Sequence, residues 1–155
     1  MFIERFEQAP IAELARMYCG VYNDEFWGAN WSLDAAQARL MSLRGKGHTG
    51  YVACMDGPQV NLNTKAPWQT IGMVVGVQEY WHFGAFFIIK DFCVAKQWQR
   101  MGVGKKLMEA LLNTLKNTNV NKVCVMTRGG SDCIDFYKKH GLHTINSMHF
   151  MGCDL

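Results

Sequence analysis

Residues 94–106 carry the chain from an apolar segment through Gln99-Arg100-Met101-Gly102-Val103-Gly104 into a leucine-rich stretch of helical period. The chemistry open to such a junction is anion binding. The amides of a first helical turn have no partner inside the helix, point the same way and are reinforced by the helix dipole. Gly102 and Gly104 remove the Cβ atoms that would hold a phosphate off those amides, and Arg100, Lys105 and Lys106 add positive charge. Two other phosphate loops are excluded by spacing. Leu107 stands where a dinucleotide fingerprint needs its third glycine, and where, after Lys106, a Walker loop would place Ser or Thr. The competing reading of two glycines alone is a plain strand-to-helix turn.

A second chemical feature lies just upstream. The segment Phe83 to Val94 is long, aromatic and β-branched, and Lys90 and Asp91 are its only charges. A third is Asp24-Glu25-Phe26-Trp27-Gly28-Ala29-Asn30-Trp31, where acids and indole faces both suit a cationic amine, each face by about 0.5 to 2 kcal/mol. Packing of these rings onto a core is the alternative. The six cysteines show no C-x-x-C pair, and His140, His143 and His149 form no zinc pattern, so reduced thiols and no metal are expected.

The elements that must hold these residues follow from periodicity. Ile11, Leu14, Ala15, Tyr18 and Tyr22 predict a first helix with Pro10 at its first turn. Ser32 caps a second, whose Leu33, Ala36, Leu40 and Leu43 share a face, ended by Gly45 and Gly47. Strands are expected at Tyr51 to Met55, about Ile71 to Val77, and Phe83 to Val94. The first is closed by Asp56-Gly57-Pro58, and Gln59 to Thr70 forms a long hairpin loop. A helix from Val103, a strand Lys122 to Thr127, a helix Ser131 to His140 ended by Gly141, and a strand Leu142 to Met151 complete the order. The class is α/β (α+β), one mixed sheet with a right-handed parallel crossover and a ligand at the carboxyl ends of its strands.

Composition sets the frame for partners. The 155 residues fit one domain, 1–155, and 49% hydrophobic content supports a core. A net charge of +3 with no block of like charges leaves no footprint for nucleic acid or a membrane surface. Glu4 and Glu7 interrupt the start where a signal peptide needs an apolar run, and no stretch is long enough to span a bilayer, so a cytoplasmic protein is expected.

Gln99-x-x-Gly102-x-Gly104 after Phe92-Cys93-Val94 resembles the Q/R-x-x-G-x-G/A signature of the GNAT superfamily of acyl-CoA N-acyltransferases. Cys133-x-x-Phe136-Tyr137-Lys138-Lys139-His140-Gly141-Leu142 is similar to the A-x-x-F-Y-x-x-x-G-F segment of the same superfamily, with Cys for Ala and Leu for Phe. Together they span about Phe86 to Leu142. The resemblance implies a central sheet flanked by helices on both faces, with parallel strands splayed at a coenzyme A site. It implies a pyrophosphate on the amides of Gln99, Arg100, Met101, Gly102, Val103, Gly104 and Lys105. Pantetheine would lie along Phe92, Cys93 and Val94, bonded to the main chain of Cys93 and Val94, with Ser131 and Phe136 completing the acetyl-CoA site.

The implied reaction is acetyl transfer to an amine, which must shed a proton while the departing sulfur gains one. The resemblance gives the acid role to Tyr137. For the base, Asp91 is the first candidate, three residues before Val94 on the same strand, and Glu79 the second; a water chain could also serve. A buried Asp91 beside substrate would select a cation, and its competing reading is a salt bridge or a solvated strand end. Cys93 needs no nucleophilic role.

Tyr22-Asn23-Asp24-Glu25-Phe26-Trp27 with Trp31-Ser32 resembles the N-terminal region of the aminoglycoside 6'-N-acetyltransferase-like group. Glu25, Trp27, Trp31 and Asp91 are therefore expected to bind a small cationic amine. Acetylation of a peptide or protein amine, and an acyl-CoA-binding module without turnover, are the alternatives; a homodimer is compatible with the resemblance.

Overall fold

A five-stranded sheet carries the first four-fifths of the chain. In the computed structural model, which describes residues 1–56, 68–82, 84–146 and 151–153, β1 is Phe2–Arg5, α1 Ile11–Tyr22, α2 Leu33–Ser42, β2 His48–Asp56, β3 Trp68–Trp81, β4 Gly84–Val94, α3 Val103–Leu115, β5 Val120–Val125 and α4 Ser131–Lys139. The chain divides into two compact units, Met1–Val125 and Met126–Leu155.

The first unit holds β1 to β5 in the spatial order β1-β2-β3-β4-β5. The first three pairings are antiparallel and β4 pairs β5 in parallel. Gly72 of β3 marks one face of the sheet: a Cβ there would stand 3.1 Å from Leu107 Cδ1, so α3 packs on that side. Met73, the next residue, points the other way, into the cluster that joins Val75, Cys93, Val52 and Cys54 to Leu14, Ala15 and Tyr18 of α1 and Ala36 and Leu40 of α2. Helices therefore cover both faces of a mixed sheet.

α3 forms because Val103, Leu107, Met108, Leu111 and Leu115 all bury on one stripe, each contributing on the order of 1.5–3 kcal/mol relative to exposure. α1 runs as its spacing predicts, with Pro10 one residue ahead as the N-cap. The Ser32 hydroxyl caps α2 by accepting from the Ala35 amide at 3.1 Å. Leu33 departs from the shared face expected of it and is exposed. Helical side chains lean toward the N-terminus, so the first residue overhangs the end of the interface.

The strands differ from their sequence-based bounds where pairing overrides pattern. β3 continues through Gln78-Glu79-Tyr80-Trp81 because it pairs with β4 down to Trp81↔Gly84, and it opens at Trp68, inside the expected loop. β5 starts and stops two residues early, in step with β4. β1 has no counterpart in the sequence reading: Phe-Ile-Glu-Arg is too short to show a period and is held by its register with Arg5↔Tyr51 to Phe2↔Cys54. The Gly57-Pro58 turn and residues 59–67 lie outside the described residues, as does Phe83.

In the second unit, α4 ends in paired bonds, Gly141 N to Lys138 O at 3.0 Å and Leu142 N to Tyr137 O at 3.1 Å, with Gly141 at φ 84°. This left-handed closure is the one a C-terminal glycine provides. Residues 142–146 form no strand, and the rest of the expected last strand, 147–150, lies outside the described residues.

Candidate functional site

Lys90 is an extra residue in β4. Val75 pairs with Asp91 while the next residue, Gly76, pairs with Ile89, so β4 spends two residues where β3 spends one. Before this bulge Ile89 shares a face with Gly76, the side on which α3 packs. After it, Asp91 and Cys93 share the face of Val75 and Met73, beneath α1 and α2. The bulge is thus what turns the Asp91 carboxylate toward the helical pair.

There Asp91 is buried and held through both of its oxygens. The Tyr18 hydroxyl donates to Oδ1 at 3.0 Å, and Arg39 donates to Oδ2 from Nε at 3.1 Å and Nη2 at 2.9 Å. Burial pushes the carboxyl above its usual range, opposed first by the Arg39 charge and then by the hydrogen bonds. Burial, followed by the nearby Asp91 charge, pushes both the Tyr18 phenol and the Cys93 thiol upward. Because Arg39 compensates Asp91, attraction for an incoming cation falls to other groups.

Beyond the bulge, β3 is the one described strand that pairs with β4. The β4–β5 ladder ends at Ile89↔Val125, immediately before Lys90. Ala95 N donates to Ile71 O at 2.9 Å, which fixes the alternation: Cys93 turns its main-chain groups to Met73, whereas Phe92 and Val94 turn theirs to the side where β5 has left. Side chains reach those carbonyls. The Tyr22 hydroxyl donates to Phe92 O at 3.4 Å and Gln99 Nε2 to Val94 O at 3.0 Å. Of the expected pair, Val94 faces the fork and Cys93 does not; Phe92 takes its place.

The turn itself follows directly. Gln99 ties it to the end of β4, Arg100 sits at φ 61°, and Gly102 is the N-cap of α3 at φ 81°, ψ 2°. Arg100 is the one non-glycine with positive φ among the described residues, a conformation costing about 1–2 kcal/mol. A Cβ at Gly102 would meet nothing within 4 Å, so the demand for glycine is one of backbone handedness. Among the described residues no side chain caps α3, which leaves the Val103, Gly104 and Lys105 amides to an anion, with the exposed Arg100, Met101, Lys105 and Lys106 around them.

The acidic and aromatic loop is organised by its own side chains. Asn23 clamps Trp31 through Nδ2 to Trp31 O at 2.9 Å and Trp31 N to Oδ1 at 2.8 Å, while Asp24 Oδ1 accepts from the amides of Phe26 and Trp27. Trp31 meets Tyr18 edge-on at 5.3 Å and Trp27 meets Tyr22 at 5.3 Å, both rings half-buried against the core. Trp31 is thereby brought beside Tyr18, a partner of Asp91, and Trp27 beside Tyr22, which bonds Phe92 O, whereas Glu25 is exposed.

Glu79 is not brought to that cluster. It shares the Val75 face but lies four residues along β3, roughly 13 Å at strand rise, and stands 3.8 Å from Lys90 Nζ. Tyr137 and Phe136 lie on α4 in the second unit, rings 5.3 Å apart, with Ser131 opening that helix. Among the described residues no group of three or more His, Cys, Asp or Glu is placed to hold a metal, and no helix is long and apolar enough to cross a membrane.

Sequence reading missed Arg39, Tyr18 and Tyr22. The usable signal was Asp91 itself: a carboxylate in an apolar strand requires donors from a facing helix, and Tyr18 lies on the buried stripe of α1.

Residues 46–142 match the family model described as "Acetyltransferase (GNAT) domain". No curated protein matches the sequence. Among solved structures the chain is similar to a "probable acetyltransferase", with a TM-score of 0.76 and 18% identity over 100% of this chain and 98% of the other. It is similar to an aminoglycoside acetyltransferase from an uncultured soil metagenomic sample, in complex with sisomicin (TM-score 0.70, 18% identity, 99% and 95% covered). A third is glucosamine-6-phosphate N-acetyltransferase from Arabidopsis thaliana (TM-score 0.67, 16% identity, 99% and 98% covered). At these identities the likeness is one of fold.

Proposed function

Because this chain belongs to the GNAT acetyltransferase family, we propose that it transfers an acetyl group from acetyl-CoA to the primary amine of a small cationic substrate, by direct attack in a ternary complex. The observation that carries the reading is the uncapped mouth of α3, opened by Gly102 at φ 81° beside the fork where β4 and β5 part. A diphosphate fits those amides and the charge of Arg100, Lys105 and Lys106. An extended chain with amide groups fits the outward main chain of Phe92 and Val94.

Acetyl-CoA supplies the acyl group as a thioester, whose C–S bond breaks as the N–C bond forms and whose electron pair leaves with sulfur. Tyr137 gives that sulfur its phenolic proton. Asp91 takes one proton from the incoming ammonium through Oδ1, which has accepted only from Tyr18. The second proton of nitrogen returns to Tyr137, so one proton in total passes through Asp91 to solvent. Cys93 is excluded as a nucleophile, since burial holds it as a thiol.

Trp27, Trp31 and Glu25 draw the cation, each indole by about 0.5 to 2 kcal/mol. The reading includes action in the cytoplasm with neither nucleic acid nor membrane as partner. The test is release of free CoA from acetyl-CoA with sisomicin, spermidine, glucosamine and a lysine-containing peptide in parallel. Release with a small amine and none with the peptide is expected. Faster release with the peptide would overturn the substrate class, and none with any amine would overturn the activity.

A further inference from the structure

We propose that Arg39 is a positioning residue that keeps Asp91 ionised, and so able to take the acceptor's proton, in a site that would otherwise hold it neutral. The inference rests on the reading of Asp91 as proton acceptor. Its ground is geometric: three elements converge on one carboxylate, Tyr18 from α1 on Oδ1, Arg39 from α2 on Oδ2, and β4 below. Both Arg39 bonds fall on one oxygen. Oδ1 therefore keeps room for a further donor, as a carboxylate has about four lone-pair positions.

The charges facing Asp91 can be named from each element. Tyr18 of α1 and Cys93 of β4 are both driven toward their neutral forms, and Val75 opposite on β3 is apolar. The neighbouring Lys90 stands 3.8 Å from Glu79. Arg39 of α2 is left as the cation against burial. An opposite charge this close lowers a carboxyl by about one to three pH units. Removing it leaves burial opposed by the Tyr18 bond alone, and a protonated Asp91 cannot accept.

The side chain of Arg39 is 35% exposed while that of Asp91 is 8% exposed. Substitution at 39 thus reaches the buried group from its solvent side without opening the core.

The test compares wild type, Arg39→Met, Arg39→Lys and Asp91→Asn. Asp91 is titrated directly by carboxyl carbon resonance in aspartate-labelled protein, its signal assigned by its loss in Asp91→Asn. The pH profile of kcat/KM is read by CoA release with the fastest amine of the panel above. In Arg39→Met the Asp91 midpoint and the acid limb of kcat/KM should both move to higher pH by at least about one unit, a tenfold change in proton concentration. Arg39→Lys should restore part of both.

A limb that stays in place while the Asp91 midpoint moves, or a midpoint that does not move, overturns the role of Arg39. A fall in melting temperature with an unchanged limb would show an ion pair that serves only the fold. Wild-type turnover in Asp91→Asn would instead sink the assignment of Asp91 itself, which separates the two failures. If Arg39→Met does not fold, Arg39→Lys alone decides, since it must move both quantities in the same direction.

Discussion

Ile89 and Asp91, two residues apart on β4, point to opposite faces of the sheet. In an unbroken strand they would share a face; Lys90 between them is the extra residue that reverses the phase. Deleting Lys90 would force either Ala85, Phe87 and Ile89 or Asp91 and Cys93 onto the wrong side, and all five are buried. The deletion should yield no soluble folded protein by circular dichroism. Lys90→Ala, which keeps the residue count, should melt within a few degrees of wild type, since its ion pair with Glu79 is half-exposed and worth about 0–1 kcal/mol. A well-folded deletion would show that the phase reversal is dispensable.

At the mouth of α3, Gly102→Val should abolish binding of CoA in a calorimetric titration, because a β-branched residue resists φ 81° even though the space around it is open. Tyr137→Phe should lower turnover by about a hundredfold or more, the range expected for loss of a general acid, with CoA affinity within twofold. Equal loss of CoA binding in the two variants would contradict the separate roles of turn and phenol.

Ser32→Ala removes the acceptor of the Ala35 amide. The cost should be about 1 kcal/mol, seen as a drop of roughly 2–4 °C in melting temperature for a domain of this size. Melting temperatures that agree within 0.5 °C would mean another group caps α2.

Cys54 makes the stability of the fold depend on pH. Burial, helped by Glu13 and Glu4, pushes its thiol from 9.0 up to about 12. The folded state therefore binds this proton more tightly than the unfolded one. The stabilisation is complete below about pH 9 and is lost as pH rises toward 12. Urea unfolding of wild type should weaken between pH 8.5 and 10.5 more steeply than that of Cys54→Ala. Parallel slopes would place the thiol in contact with water.

Much of this architecture could be read from the chain because periodicity, caps and glycine punctuation act locally. The stripe of Leu107, Leu111 and Leu115, the Ser32 cap and the Gly141 stop all appear where spacing places them. What escaped was set by pairing between distant residues. β1 exists only through its register with β2, and the bulge leaves no trace in residue type, because buried and half-buried positions alternate without a break from Gly84 to Val94.

The candidate site divides the same way. The place of Gly102 at the start of α3 was legible, since a strand-to-helix turn is written locally. The environment of Asp91 was not, since Tyr18 and Arg39 come from 73 and 52 residues away. Gln99 shows a subtler limit. Its place in the signature was visible, but its side chain secures the end of β4.

The early departure of β5 from its neighbour carries a consequence for what could occupy the gap. Past Ile89 no described strand pairs with the outward edge of β4, and a slender molecule with carbonyl and amide groups at strand-like intervals matches its spacing. Affinity gained in this way is indifferent to side chains. Linear diamides carrying no nucleotide should therefore bind weakly along this edge, a binding that a calorimetric titration would read.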